Sequence, residues 1–224
     1  MNFALKPKNK NKTKKKYTQL LTILIANFIL APFLRGNLGE LVLSGIFLYT
    51  IILIVKTFSI RPILFRFFSS IAILAFVLEI IGRLELYKSF GVYLFLIQGV
   101  FALYLAVAIY LILRDILFAN EVTVDIIRGG ISVYLLIGFV WALLYGIGVS
   151  LDPQAFSQPL IEAESYGKSI YFSFTTLTTL GYGDIIPVSP WAKMLTNLEA
   201  IVGQLYPAIL ISILVSDYLS QRSK

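Results

Sequence analysis

Long apolar stretches separated by short polar ones dominate this chain. Six runs made mainly of Leu, Ile, Val, Phe and Ala cover residues 20–34, 41–55, 63–81, 92–113, 131–149 and 191–219. A helix that crosses about 30 Å of hydrocarbon needs roughly 20 mostly apolar residues, because each residue adds about 1.5 Å. The pattern therefore predicts an all-α membrane protein with six transmembrane helices.

The stretch between the fifth and sixth runs has a different character. Residues 166–186 are rich in Gly and Thr and too polar to span a membrane. Irregular backbone at membrane depth is tolerated only where it lines a cavity or is buried in protein. We expect a re-entrant element here, with a short helix over 165–177 followed by a loop that returns to the same side.

Lysine and arginine favour the cytoplasmic side of a membrane, which gives the orientation. With the N-terminus inside, fourteen Lys and Arg residues fall on the inner side and five on the outer side. Seven of the fourteen are lysines before residue 17, and such a tail is attracted to anionic lipid. We expect a multi-pass protein of the cell membrane with both termini cytoplasmic, in which the first run is an uncleaved signal anchor.

Composition narrows the possible functions further. The chain has 224 residues, of which 58% are hydrophobic and 14% charged, and it contains neither Cys nor His. This excludes disulfides, histidine metal sites and Ser-His or Cys-His nucleophile pairs. The basic charge lies mostly in the tail, so it does not form a nucleic-acid-binding face. The connections are also too short for a ligand-binding domain, which needs about 50 residues. We expect no cofactor and no nucleic-acid partner.

The sequence TTLTTLGYGD at residues 175–184 carries the candidate chemistry. Glycine adopts backbone conformations that other residues avoid, and Gly181 and Gly183 flank a single aromatic residue. A run that alternates such conformations can point successive carbonyl groups to one side. Several copies around an axis would then form stacked oxygen rings that replace the hydration shell of a cation. The hydroxyl of Thr179 would add a further ring at the inner end.

TTLGYGD resembles the potassium-channel signature TTVGYGD, with Leu180 in place of valine. Pro187, Trp191 and Gly203 lie where bacterial two-helix potassium channels have a proline, a tryptophan and a hinge glycine. The close match covers about residues 171–211. Six helices with the pore element before the last resemble the six-helix potassium channel superfamily. The resemblance implies a homotetramer that conducts potassium ions passively and is not an enzyme.

The resemblance also implies an organisation and a set of site residues. The expected parts are a basic tail (1–18), a four-helix domain similar to a voltage sensor (19–114), a cytoplasmic linker (115–129) and a pore domain (130–224). The carbonyl groups of the filter are expected to bind potassium ions. The implied filter residues are Thr179, Leu180, Gly181, Tyr182 and Gly183, with Asp184 at the outer mouth. The implied supports are Thr175, Thr176 and Glu199, and the implied hinge or cavity residues are Gly203, Gln204 and Pro207.

Two departures from the family pattern concern the support of the filter. Tyr171 and Phe172 replace a common tryptophan pair, and Thr175 stands where some members have a buried glutamate. Phe172 has no hydrogen-bond donor, so we expect the usual brace from a tryptophan to Asp184 to be missing.

Three residues of the last helix have open interpretations. An acid at membrane depth is costly, and Glu199 is expected either to hydrogen-bond the pore helix near Ser173 or Thr176, or to be reached by water. Gln204 either lines the cavity or bonds a neighbouring helix. Pro207 removes a backbone hydrogen bond, which predicts either a bend that forms a gate or a static kink.

Other functions were weighed against potassium conduction. GYGD also fits the G-x-G-D pattern of intramembrane aspartyl proteases, but no helix before residue 184 supplies a second intramembrane aspartate. A nonselective cation channel and a non-conducting regulatory subunit are further alternatives.

The fourth run, 92–113, contains no Lys, Arg, Asp or Glu, so little voltage dependence is expected.

Overall fold

The computed structural model describes residues 16–31, 33–34, 36–57, 62–83, 91–119, 121–160 and 167–222. The lysine-rich part of the predicted tail, residues 1–15, lies outside this range. The described residues form seven helices, each of which coincides with an apolar run or with the predicted short helix. They are α1 (Lys16–Leu30), α2 (Gly36–Thr57), α3 (Pro62–Arg83), α4 (Gly91–Leu117), α5 (Val124–Leu151), α6 (Gly167–Leu177) and α7 (Pro190–Arg222).

The prediction of an all-helical protein is confirmed for the described residues, whose β-pairing is limited to an isolated bridge between Phe156 and Pro187. Three helical stretches there are long and apolar enough to cross a membrane, namely Leu96–Leu117, Val124–Leu151 and Pro190–Ser216. Three further apolar stretches are shorter: Lys16–Leu30, Ser44–Ile54 and Ser69–Leu78. Six crossings therefore remain a prediction.

The connection between α4 and α5 is shorter than the predicted linker of residues 115–129. Helix α4 continues to Leu117, and α5 already begins at Val124. The N-cap residue Thr123 has an extended backbone, and its side-chain oxygen accepts a hydrogen bond from the Ile126 N–H at 3.3 Å. This cap satisfies one of the free N–H groups at the helix start, which explains why α5 begins there.

Helix α5 lies at the centre of the packing. Half of its apolar span is buried within the single chain. Helix α1 packs against it with Tyr17, Leu20 and Leu24, all of which are buried. Within a bilayer, such close packing stabilises helix association mainly through van der Waals contact. The same cluster holds Leu105 and Ile112 of α4, Val133 and Leu136 of α5, and Phe174 and Leu177 of α6.

A polar junction fastens the start of α1 to the α4–α5 corner. The backbone N–H of Tyr17 donates to Asp125 at 3.1 Å, so a residue of α5 caps the N-terminus of α1. The Tyr17 hydroxyl donates to Asp115 at 2.5 Å, and the Lys16 ammonium donates to the same carboxylate at 2.8 Å. The tyrosine ring lies against Gly129, where a Cβ atom would come within 2.9 Å of it.

Candidate functional site

The backbone of the TLGYGD segment, residues 179–184, alternates in handedness. Thr179, Gly181 and Gly183 have positive φ angles of 57°, 53° and 78°, whereas Leu180 and Tyr182 do not. In an ordinary strand successive carbonyl groups point to opposite sides. Alternation of left-handed and right-handed residues turns them toward the same side. The predicted alternation is therefore present, and it includes a threonine, for which positive φ is strained.

Carbonyl groups near the end of α6 accept hydrogen bonds from this segment. The N–H of Thr179 donates to the Thr176 carbonyl at 2.9 Å, and the N–H of Gly181 donates to the Thr175 carbonyl at 3.1 Å. The last carbonyl groups of a helix lack partners within it, so the segment satisfies groups that would otherwise be free. Thr175 and Thr176 thus contact the segment through their backbones, while the Thr175 hydroxyl donates to Phe172 in its own helix at 2.9 Å.

Helix α7 passes very close to the end of α6. A Cβ atom built on Gly203 would lie 1.9 Å from the carbonyl oxygen of Leu177, so only glycine fits at this crossing. The next residue, Gln204, donates from its Nε2 to the Thr179 hydroxyl at 3.1 Å. Two successive residues of α7 therefore contact the entrance of the TLGYGD segment. The sequence indicated both positions, but it assigned Gly203 to a hinge.

Glu199 joins three helices behind the segment. Its side chain is fully buried, and it accepts a hydrogen bond from the Ser173 hydroxyl at 2.5 Å. The Tyr145 hydroxyl donates to the other carboxyl oxygen at 2.5 Å. Ser173 also lies 2.7 Å from the carbonyl of Gly138, and its single proton serves one of these two acceptors at a time. The structure thus brings Glu199 to Ser173, one of the two expected partners.

Asp184 has a brace from a tyrosine, which the expectation of a missing tryptophan brace did not foresee. The Tyr171 hydroxyl donates to Asp184 Oδ2 at 2.8 Å. The expectation considered a donor only at Phe172, whereas the tyrosine one position earlier supplies it. The Tyr171 ring also stacks on Tyr182, with centroids 6.4 Å apart and planes at 4°. The bond to Asp184 raises the pKa of the Tyr171 phenol above its ordinary value.

The loop after α5 holds the far end of the segment. Ser157 and Ile186 exchange two hydrogen bonds, of 2.9 Å and 3.0 Å. The Trp191 indole donates to Asp152 at 3.2 Å, which ties the start of α7 to the end of α5. These contacts fix the chain after residues 179–184, and the hydrogen bonds to α6 fix its start. No local pattern around Ser157 indicates this role.

Helix α7 leaves most of its apolar surface uncovered. Only 11% of its apolar span is buried within the single chain, against 50% for α5. Exposed positions include Leu198, Ile201, Leu205 and Ile209. The helix runs through Pro207 to Arg222 without interruption, so the gate-forming bend remains a prediction.

Comparison with known proteins points to ion channels. Residues 129–219 match a family model described as "Ion channel". Over 94 residues the chain is 30% identical to the potassium voltage-gated channel protein shk-1 of Caenorhabditis elegans. The matched stretch covers 41% of this chain and 17% of that protein. The chain is 37% identical over 54 residues to the inward rectifier potassium channel Kirbac3.1 of Paramagnetospirillum magnetotacticum, covering 24% of this chain and 18% of that protein.

A third relative is the two-pore potassium channel 5 of Arabidopsis thaliana, 36% identical over 59 residues, covering 26% of this chain and 14% of that protein. The matches thus span under a fifth of the length of each of these three relatives. No solved structure matches the chain. Part of the chain is therefore similar to ion channels, and the relatives named here are potassium channels.

Proposed function

We propose that this protein is a potassium-selective channel that conducts K⁺ passively through a homotetrameric pore. The filter would consist of Thr179, Leu180, Gly181, Tyr182 and Gly183 from each of four chains. Asp184 would stand at the outer mouth. The observation that carries the proposal is the alternating handedness of this segment, because it gives the carbonyl groups a common direction.

Carbonyl rings of this kind can replace the hydration shell of a cation. The hydrogen bond from the Gly181 N–H to the Thr175 carbonyl supports such a role, since it holds the middle of the filter against α6. The carbonyl end of a helix carries about half a negative charge, and α6 ends directly before the filter. Four such helix ends would favour a cation near the filter entrance.

Assembly of several chains around one axis is part of this proposal. One strand cannot enclose an ion, so several copies must surround the axis. The uncovered apolar surface of α7 supports contacts between copies, because a large exposed apolar patch often marks an interface.

We expect the channel to respond little to voltage. Within its apolar span, α4 carries charged side chains only at Arg114 and Asp115, close to its end. Moving one charge through the membrane potential supplies about 2.3 kcal/mol per 100 mV, and steep gating needs several charges per subunit. The lysine tail would place the N-terminus on the cytoplasmic side of the cell membrane, against anionic lipid.

Purified protein in a planar bilayer, with potassium on one side and sodium on the other, tests the proposal. The reversal potential should follow the potassium gradient, and open probability in symmetric potassium should change little with voltage. Mass measurement in mild detergent should give four protomers. Equal permeability to both ions would refute selectivity and leave a nonselective cation channel, and a conducting monomer or dimer would refute the assembly.

A matched pair of variants links the currents to the filter. Gly181→Ala should abolish selectivity or current, because its positive φ of 53° disfavours any residue with a Cβ atom. Gly99→Ala is the control, since a Cβ atom there meets nothing within 4 Å and the residue lies in a helix. Normal selectivity in Gly181→Ala would contradict the assignment of the filter.

A further inference from the structure

Gln204 lies where it can act on the entrance of the filter. Its amide donates to the Thr179 hydroxyl at 3.1 Å, and both side chains are exposed within the single chain. The approach is fixed by the preceding residue, because Gly203 brings the α7 backbone against the carbonyl of Leu177. A glutamine on a freely placed helix would not be held at this distance.

The chemistry of the hydroxyl explains what this contact does. A threonine hydroxyl has one proton to donate and two lone pairs that accept. The Gln204 amide occupies one lone pair, which leaves the other available to a cation. The amide also opposes rotation of the Thr179 side chain, whose backbone already has a strained φ of 57°. A hydroxyl free to rotate would at times turn its proton toward the ion.

We infer, on the basis of the proposed function, that Gln204 is a positioning residue that determines how tightly the innermost filter site binds a dehydrated cation. It acts by holding the Thr179 hydroxyl with an oxygen lone pair toward the axis. A single preorganised hydroxyl adds little to the binding free energy of the cation. Four copies around one ion make the effect measurable, because preorganisation removes an ordering cost that would otherwise weaken binding.

Barium is a suitable probe, since it is a divalent cation close to potassium in size. Block by Ba²⁺ from the cytoplasmic side should be about fivefold weaker in Gln204→Leu, the loss expected for a hydrogen bond of ordinary net strength. Gln204→Met has nearly the shape of the original residue but no donor, and it should behave in the same way. Asn197→Leu removes an exposed amide from the same helix and should leave block unchanged.

A double-mutant cycle distinguishes positioning from a general effect on the helix. Thr179→Val replaces the hydroxyl by a methyl group and keeps the branched shape. In that background, Gln204→Leu should cause no further change in Ba²⁺ block. An equal loss in both backgrounds, or no loss in either, would overturn the inference. The reversal potential of the original protein in the same bilayers tests potassium selectivity separately, so a selective channel with unchanged block refutes only the role of Gln204.

Discussion

Replacement of Gly203 by alanine tests how α7 meets the filter-bearing helix. The added Cβ atom would lie 1.9 Å from the carbonyl oxygen of Leu177 and 2.8 Å from its carbonyl carbon. Cβ atoms in real structures essentially never come within 3.0 Å, so the two helices must separate by about 1 Å. The atom met is backbone and cannot rotate away. Overpacking typically costs about 1–3 kcal/mol, and we expect a loss near the upper end of that range.

The hinge interpretation of Gly203 makes a different prediction. If the glycine served only to let α7 bend, Gly203→Ala would alter opening while the folded protein kept or gained stability, because alanine favours a helix over glycine by about 0.5–1 kcal/mol. The packing interpretation predicts instead that Gly203→Ala lowers the stability of the folded protein. A loss of about 3 kcal/mol corresponds to a melting temperature lower by roughly 6–12 °C in a chain of this size.

Thermal unfolding of the detergent-purified protein, followed by circular dichroism, measures this difference. Gly99→Ala is the matched control, since its Cβ atom would meet nothing within 4 Å, and it should melt at the same temperature or slightly higher. Bilayer recordings of Gly203→Ala should also show reduced or unstable current, because the crossing lies beside the filter. A variant that melts like the original protein and conducts normally would refute the packing argument.

Three further changes test individual contacts. Tyr171→Phe removes the hydroxyl that bonds Asp184, and its current should decline faster during sustained activity while thermal stability changes little. Glu199→Gln keeps one oxygen for the Tyr145 hydroxyl and turns an amide NH₂ toward Ser173, whose proton can then serve Gly138, so the melting temperature should change little while the current becomes less stable. Gln98→Leu should raise the melting temperature, because neither amide atom of this buried side chain has a partner among the described residues, and such groups cost about 1–3 kcal/mol.

Matched controls make these outcomes interpretable. Tyr49→Phe removes a phenol hydroxyl from an exposed position of α2, and Glu121→Gln neutralises an exposed acid in the α4–α5 connection. Neither should alter currents or melting. Unchanged current decline in Tyr171→Phe would remove the brace from the mechanism, and unchanged currents in Glu199→Gln would leave that residue with a purely structural role. A lower melting temperature in Gln98→Leu would show that its amide is satisfied in the membrane.

Local sequence signals predicted the parts of the site that depend on local structure. Gly181 and Gly183 indicated the alternating backbone because positive φ is a property of single residues. The contact between Glu199 and Ser173 was also anticipated, since an acid at membrane depth needs a polar partner and α6 was the nearest candidate.

Contacts between distant elements were missed for a physical reason. Tyr145 donates to Glu199 from a position 54 residues earlier in the chain. The hydrophobic pattern along α5 does not distinguish this tyrosine from its apolar neighbours. The docking of Tyr17 on Asp115 and Asp125 was likewise missed. The lysines before residue 17 placed this region in a basic tail whose expected role was to set the orientation in the membrane. A pairing across about a hundred residues has no signature in a single sequence.

The groups that support the proposed filter come from both directions along the chain, and this has a consequence for biosynthesis. Gly138 and Tyr145 are made before Ser173, but Glu199 follows Ser173 by 26 residues. At about 5–20 residues per second, the ribosome needs roughly 1–5 s to synthesise that interval. During this time the Ser173 hydroxyl can donate to Gly138, whereas Gly203 and Gln204 have not yet reached the bilayer. Insertion of α7 is therefore the step that brings Glu199 to Ser173 and Gln204 to Thr179, and it can occur only after α6 has left the ribosome.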